Sequence, residues 1–227
     1  MNDITPNRSC SKAVLFDLDG TLADTAPDLA FALNETLKHF NQTPLPYEKI
    51  RAYVSHGGAA LIRLGFGIET EAPEFETYRQ FLLDIYKNNL CRETRLFEGM
   101  EELLFHLETN RIPWGIVTNK PSWLTDPLVE KMGLNKRASC IVSGDTCKRN
   151  KPHPDPILYA CAQTDMNPLN CFYVGDAARD IAAGKAAGCT TVTALFGYLN
   201  DDDEPEKWQA DFNISHPLEM LEILNAN

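Results

Sequence analysis

The sequence predicts an α/β fold, a doubly wound parallel sheet with a helical domain inserted after its first strand. Two patterns carry this expectation. Short apolar runs ending in polar residues or glycine alternate with stretches of helical periodicity, the signature of buried parallel strands and their crossover helices. One long interval, residues 26–95, shows helical spacing and no convincing strand.

Taken in order, Ala13–Asp17 (AVLFD) is the first strand, an apolar run that stops abruptly in carboxylates and a glycine. In the interval that follows, Leu29, Leu33 and Leu37, then Phe75, Tyr78, Leu82 and Tyr86, recur at helical spacing, with Gly57 and Gly58 marking a turn between helices. Further strands read at Trp114–Thr118, Cys140–Ser143, Cys171–Gly175 and Thr190–Leu195, separated by helical patterns at Glu101–Glu108, Trp123–Lys131, Pro156–Gln163 and Arg179–Ala187. The expected division is a catalytic core of residues 1–24 and 96–227 and a helical cap of residues 25–95, with Leu22–Thr25 and Gly99 as hinge candidates at the two crossings. Gly197–Asp211, with its acidic run Asp201–Glu204, reads as a solvated loop.

A chain of 227 residues has room for one large domain or a core carrying a smaller insertion. Twenty-one Lys+Arg against 32 Asp+Glu leave a net charge of -11, which repels nucleic acid and anionic membrane surfaces. An anionic small molecule is repelled too, so binding one needs a local cationic pocket or a metal ion. Cys10, Cys91, Cys140, Cys147, Cys161, Cys171 and Cys189 form an odd set with no C-x-x-C pair. With no signal-peptide pattern and no apolar stretch long enough to span a bilayer, a reduced cytoplasmic setting is expected, for a monomer or homodimer.

Chemistry concentrates at the strand ends, where open α/β sheets bind ligands. Asp17 and Asp19 lie two apart in FDLDGTL, and Gly20 lets the chain turn so that both carboxylates face one pocket. Thr118 and Asn119 offer a hydroxyl and backbone N–H groups at the second strand end, a pattern that grips phosphate. Lys151 is fixed between Asn150 and the stiff Pro152-His153-Pro154 run. Asp176 leaves the next strand, and Asp180 follows one helical turn later. Carboxylates gathered in this way suit Mg2+, which takes a few carboxylate oxygens and retains waters.

The order D-x-D-G-T, strand-end Thr, Lys-Pro and G-D-x-x-x-D, spread over nearly the whole chain, resembles the haloacid dehalogenase superfamily, whose core is Rossmann-like. VTNKP, KPHPDP and AAGKAAGC look like its phosphoglycolate phosphatase group, and LFEGM and GYLNDDDEPEKWQAD like bacterial N-acetylmuramic acid 6-phosphate phosphatases. The resemblance implies a Mg2+-dependent phosphomonoesterase acting through an aspartyl-phosphate on a small carboxylate-bearing phosphorylated metabolite, 2-phosphoglycolate or N-acetylmuramic acid 6-phosphate. It implies Asp17 as nucleophile, Asp19 as acid and base, and Thr118, Asn119 and Lys151 on the phosphate. The metal would be held by Asp17, the Asp19 carbonyl and Asp176, with Asp180 orienting. His56 and Arg63 are the cap residues expected at the leaving group.

Two other readings share this fold. A β-phosphoglucomutase-like mutase uses the same four motifs. A catalytically silent binding module would show a damaged motif, and none of Asp17, Asp19, Thr118, Lys151, Asp176 or Asp180 is missing. The dehalogenases themselves lack the second aspartate, because a halide leaving group needs no proton; Asp19 points to an ester.

Overall fold

A computed structural model describes residues 12–226. The chain runs through β1 (Ala13–Phe16), β2 (Ala23–Asp24), α1 (Ala26–His39), α2 (Tyr47–Arg51), α3 (Gly57–Phe66), α4 (Phe75–Asn88) and β3 (Arg95–Leu96). It continues as α5 (Met100–Thr109), β4 (Trp114–Val117), α6 (Ser122–Lys131), β5 (Cys140–Val142), α7 (Asp155–Gln163), β6 (Cys171–Gly175) and α8 (Ala178–Ala187). The last elements are β7 (Thr190–Ala194), α9 (Pro205–Trp208), β8 (Phe212–Ile214) and α10 (Glu219–Ala226).

Six strands form one sheet in the order β5-β4-β1-β6-β7-β8, every pairing parallel. Because β1 is covered on both faces, it is apolar without interruption, and Ala13 to Phe16 are fully buried. Its side chains alternate: Val14 and Phe16 enter the core shared with α5 and α6, while Ala13 and Leu15 join Ile157, Ala160 and Ala183 of α7 and α8. The chain adds β4 and β5 on one side of β1 and then returns to lay β6 on the other. That reversal opens a crevice at the carboxyl end of β1.

The expected strands and crossover helices are present, each within a residue of its expected ends. Between the crossings, Leu29, Leu33 and Leu37 of α1 and Phe75, Leu82 and Tyr86 of α4 are buried where α1 to α4 pack together. Gly57 takes a φ of +78° at the start of α3, so the expected turn falls there. The sequence pattern did not reveal β2 and β3, two residues each, which pair antiparallel where the chain leaves and re-enters the core. Nor did it reveal β8 and α10; the expected loop 197–211 also contains the single turn of α9. Two-residue strands are too short to show a period, and β8, with Asn213 exposed between Phe212 and Ile214, has no continuous apolar run such as marks β5. Among the described residues no helix is long and apolar enough to cross a membrane, and the six described cysteines are free; Cys10 lies outside the described residues.

One carboxylate ties the two crossings together. Asp28, in the first turn of α1 and 1% exposed, accepts hydrogen bonds from the backbone N–H groups of Arg92 (3.1 Å), Glu93 (2.9 Å) and Thr94 (3.2 Å) and from the Thr94 hydroxyl (2.7 Å). Tyr198, from the loop after β7, donates its hydroxyl to Asp24 (2.7 Å) and accepts the Ala26 N–H (2.9 Å). Replacing Asp28 by Ala removes all four bonds, two of them from buried Thr94, and is expected to cost about 3 kcal/mol. A thermal melt checks this; an Asp28→Ala variant that melts with the wild type contradicts the clamp.

Candidate active site

The site grows from the carboxyl end of β1. After Phe16 the chain folds into a tight loop in which the Leu22 N–H donates to the Asp17 carbonyl (3.2 Å) and the Ala23 N–H to the Leu18 carbonyl (2.9 Å). Leu18 and Leu22 are fully buried and hold the loop down. Gly20 adopts φ +84°, and a β-carbon there would collide with the Asp176 carboxylate. Asp17 is 3% exposed, and its Oδ1 accepts the Leu18 N–H at 2.7 Å. Asp19 turns to a different set of partners: Lys120 Nζ at 2.8 and 3.1 Å and the Thr25 hydroxyl.

At the end of β4, Thr118 is buried and its Oγ1 accepts the Lys120 N–H (3.1 Å). Asn119 clasps the backbone of Lys151 from both sides, donating Nδ2 to its carbonyl (2.9 Å) and accepting its N–H (3.1 Å). Lys151 is thereby delivered into the interior. Its ammonium lies 3.0 Å from Asp17 Oδ1, 2.7 Å from Asp180 Oδ1, 2.9 Å from the Val117 carbonyl and 2.8 Å from the Tyr173 hydroxyl.

Beyond β6, Gly175 lets Asp180 pack directly on the backbone, and Asp180 accepts the Ala177 N–H (3.1 Å) that opens α8. Asp176 is 1% exposed and accepts from the Ser55 hydroxyl (2.6 Å), the Tyr198 N–H (3.0 Å) and the Thr21 hydroxyl (3.3 Å). Ser55 belongs to the segment before α3, so the helical insertion touches the carboxylate cluster directly.

Asp17, Asp176 and Asp180 bring one ligand atom each to within 4.8 Å of one another. Burial pushes the Asp17 carboxyl above its usual range, with Lys151 opposing and Asp180 adding to the rise. Asp176 is pushed up to about 7, first by burial and then by the charges of Asp17 and Asp180. These hard oxygens repel one another and are shielded from water. The cluster can hold a divalent cation, whose charge would remove that repulsion.

The expected core residues therefore converge on one crevice. A cavity of about 290 Å³ opens above them, walled by Asp17, Asp19, Thr118 and Asn119 below and by Ser55, His56, Arg79 and Tyr86 of the helical insertion above. His56 faces it from an exposed position; desolvation first, and then the Arg179 charge, hold its imidazole below the usual pKa. Arg63, the other cap residue expected at the leaving group, is not among the residues lining the cavity. Nearly two turns along α3, it is drawn outward to Glu69 (2.9 Å), with its guanidinium over the Phe75 ring. Sequence reasoning missed Lys120, Arg179, Ser55, Arg79 and Tyr86. Lys120 and Arg179 sit inside the quoted motifs, yet nothing in one dimension separates them from surface cations.

The raised Asp176 pKa sets a pH dependence. Its proton is held more tightly folded (about 7) than unfolded (3.8), so the stability it contributes is full below about pH 4 and is lost as pH rises through about 7. In chelator, the wild-type melting temperature should therefore fall relative to Asp176→Asn between pH 5 and pH 8, by several degrees. Parallel curves for the two proteins across that range contradict the assignment.

Comparison with known proteins agrees with this geometry. Residues 14–194 match the family model for haloacid dehalogenase-like hydrolases. The chain is 36% identical to an N-acetylmuramic acid 6-phosphate phosphatase of Pseudomonas putida, over 95% of this chain and 96% of that one. It is 38% identical to a phosphoglycolate phosphatase of Xanthomonas campestris, over 93% and 95%. A crystal structure of a predicted phosphoglycolate phosphatase from Haemophilus somnus superposes with a TM-score of 0.84 at 28% identity, covering 96% of this chain and 99% of that one. With the motif residues gathered at one end of the sheet, the chain belongs to the haloacid dehalogenase-like hydrolase family.

Proposed function

We propose that the protein is a Mg2+-dependent phosphomonoester hydrolase in which residues 25–95 form a cap over a core of residues 1–24 and 96–227. The observation that carries the reading is the arrangement around Asp17, a buried carboxylate beside Lys151 and two further aspartates at the floor of a cavity large enough for a sugar. Asp17, Asp176 and the Asp19 carbonyl would hold Mg2+, with Asp180 fixing the cluster. When bound, the ion offsets the carboxylate charge and polarises the phosphoryl group.

Asp17 attacks phosphorus in line with the ester oxygen. The P–O ester bond breaks, its electron pair stays on the alkoxide, and Asp19 supplies the proton. Asp19 then takes a proton from water, which attacks the aspartyl-phosphate and releases inorganic phosphate with Asp17 restored. To act as an acid, Asp19 has to exchange its ion pair with Lys120 for the ester oxygen. The Thr118 hydroxyl and the backbone of Asn119 border the place where phosphoryl oxygens develop charge. Such transfer is mostly positioning and charge stabilisation.

The favoured substrate is N-acetylmuramic acid 6-phosphate. Leu29, Val54, Leu83, Leu124 and the Tyr86 ring give the cavity an apolar wall suited to a sugar face and an acetyl methyl, which a two-carbon acid would leave unfilled. His56 and Arg79 on the same lid suit the lactyl carboxylate.

Phosphate release with Mg2+ from N-acetylmuramic acid 6-phosphate and 2-phosphoglycolate, compared as kcat/KM, tests the substrate. A preference of ~100-fold or more for the sugar, about 2.7 kcal/mol of discrimination, is expected; the reverse preference assigns the smaller acid. Chelation should abolish turnover, and Mg2+ should restore it. Asp17→Asn should remove turnover altogether. In kcat/KM, which reports formation of the aspartyl-phosphate and omits the later base step, Asp19→Asn should slow sugar esters by roughly 10²–10⁴-fold but p-nitrophenyl phosphate far less, since nitrophenolate leaves unprotonated. Equal losses on both ester types would contradict the acid role of Asp19.

A further inference from the structure

Among the described residues no cysteine lines the crevice, yet the cysteines are not scattered. Cys161 on α7, Cys171 at the start of β6 and Cys189 just before β7 meet in the core on the α7–α8 face of the sheet. They are 2%, 1% and 6% exposed. Asp176 follows the opposite end of β6, about 16 Å from Cys171 along an extended strand. The sulfur group is therefore separate from the carboxylate cluster.

Cys161 and Cys171 touch directly, with their Sγ atoms 3.6 Å apart. A disulfide needs about 2.0 Å, so a movement of about 1.6 Å, shared between the two residues, would join them. The chain between them can supply it. Residues 164–170 hold only turns and the short helical turn Pro168–Asn170, and Leu169 is 74% exposed. The Cys171 thiol also donates to the Asn167 carbonyl (3.4 Å), so this sulfur faces the surface segment that covers it.

The neighbouring sulfurs favour reaction at Cys161. Hydrogen bonding to Cys171 first, and to Cys189 second, holds the Cys161 thiol below its ordinary pKa, while the same contact raises Cys171. Thiolate is the form that attacks an oxidant. Burial holds the thiols of the partly exposed Cys91 and Cys147 above the ordinary value.

We propose that Cys161 and Cys171 form a reversible oxidation site, a dithiol that hydrogen peroxide converts to a disulfide joining the end of α7 to the start of β6. The Cys161 sulfur attacks the peroxide; an S–O bond forms, the O–O bond breaks, and the leaving oxygen takes the Cys161 proton and departs as water. The Cys171 sulfur then attacks the sulfenic acid; the S–S bond forms, the S–O bond breaks, and the second oxygen leaves as water with the Cys171 proton. Two thiols and one peroxide give one disulfide and two waters. A dithiol reductant reverses the change by exchange.

The inference does not rest on the phosphatase reading, and its test needs no turnover. The folded, full-length protein is treated with a few equivalents of hydrogen peroxide, its remaining thiols are alkylated, and it is digested with trypsin. Cys161 and Cys171 share the peptide that ends at Arg179, whereas Cys189 falls after Lys185 on another. The shared peptide is expected to lose both alkylation sites, to be lighter by two hydrogens than its reduced form, and to regain both thiols in dithiothreitol. Cys161→Ser and Cys171→Ser should each abolish the link, and Cys91→Ser and Cys147→Ser should leave it, with melting curves confirming each fold. A pair still reduced after Cys91 and Cys147 have oxidised would overturn the proposal. So would a link from either sulfur to Cys189, a link that forms only in denaturant, or Cys161 carried to sulfinic acid while Cys171 stays free.

Discussion

The buried ammonium of Lys151 is the interaction on which the rest of the site depends. It joins the carbonyl at the end of β4, the Tyr173 hydroxyl on β6, Asp17 after β1 and Asp180 on α8, so four separate elements meet at one atom. A charge taken out of water is costly unless its attractions are close and its hydrogen bonds complete. Both conditions hold here. Removing the lysine would leave Asp17 and Asp180 buried without their cation, and the converging strand ends would lose their common partner. The clasp from Asn119 is part of the same device, because it fixes the backbone from which Lys151 reaches inward.

Close backbone approach is the second constraint. Asp176 is packed between Gly20 and Gly197, and a β-carbon on either would meet its carboxylate or its β-carbon. Gly175 does the same for Asp180. The carboxylates are thus held together by backbone that only glycine permits, although burial first and mutual repulsion second raise Asp176 to about 7. Shape and charge oppose each other in the protein alone, which leaves the cluster ready for a cation.

The helical insertion is tied to this floor at few points. Ser55 reaches Asp176, Arg51 lies over the Tyr198 ring and donates to the Phe196 carbonyl (3.3 Å), and Lys120 rests on the face of Tyr86. Asp28 and the β2–β3 pair bind the two crossings to each other rather than to the sheet. The β2–β3 pair thus joins the insertion to the core, and its polar contacts reach the carboxylate cluster itself.

How much of this was legible depends on range. The strands of the main sheet, except three-residue β8, and their crossover helices could be read because apolar periodicity is a local consequence of burial. The core motif residues could be read because each sits beside a glycine, proline or strand end that fixes its backbone. What one dimension could not give was pairing across the chain. Asp19 meets a lysine 101 residues away, and Ser55 meets an aspartate 121 residues away. Arg63 and Arg79 look alike in sequence, but only Arg79 lines the cavity, since α3 turns Arg63 outward to Glu69. The sequence by itself determined the fold class and the motif residues at the strand ends, because both follow from local pattern. Only the tertiary structure decided which cations and carboxylates become partners, because pairing is a property of three-dimensional neighbours.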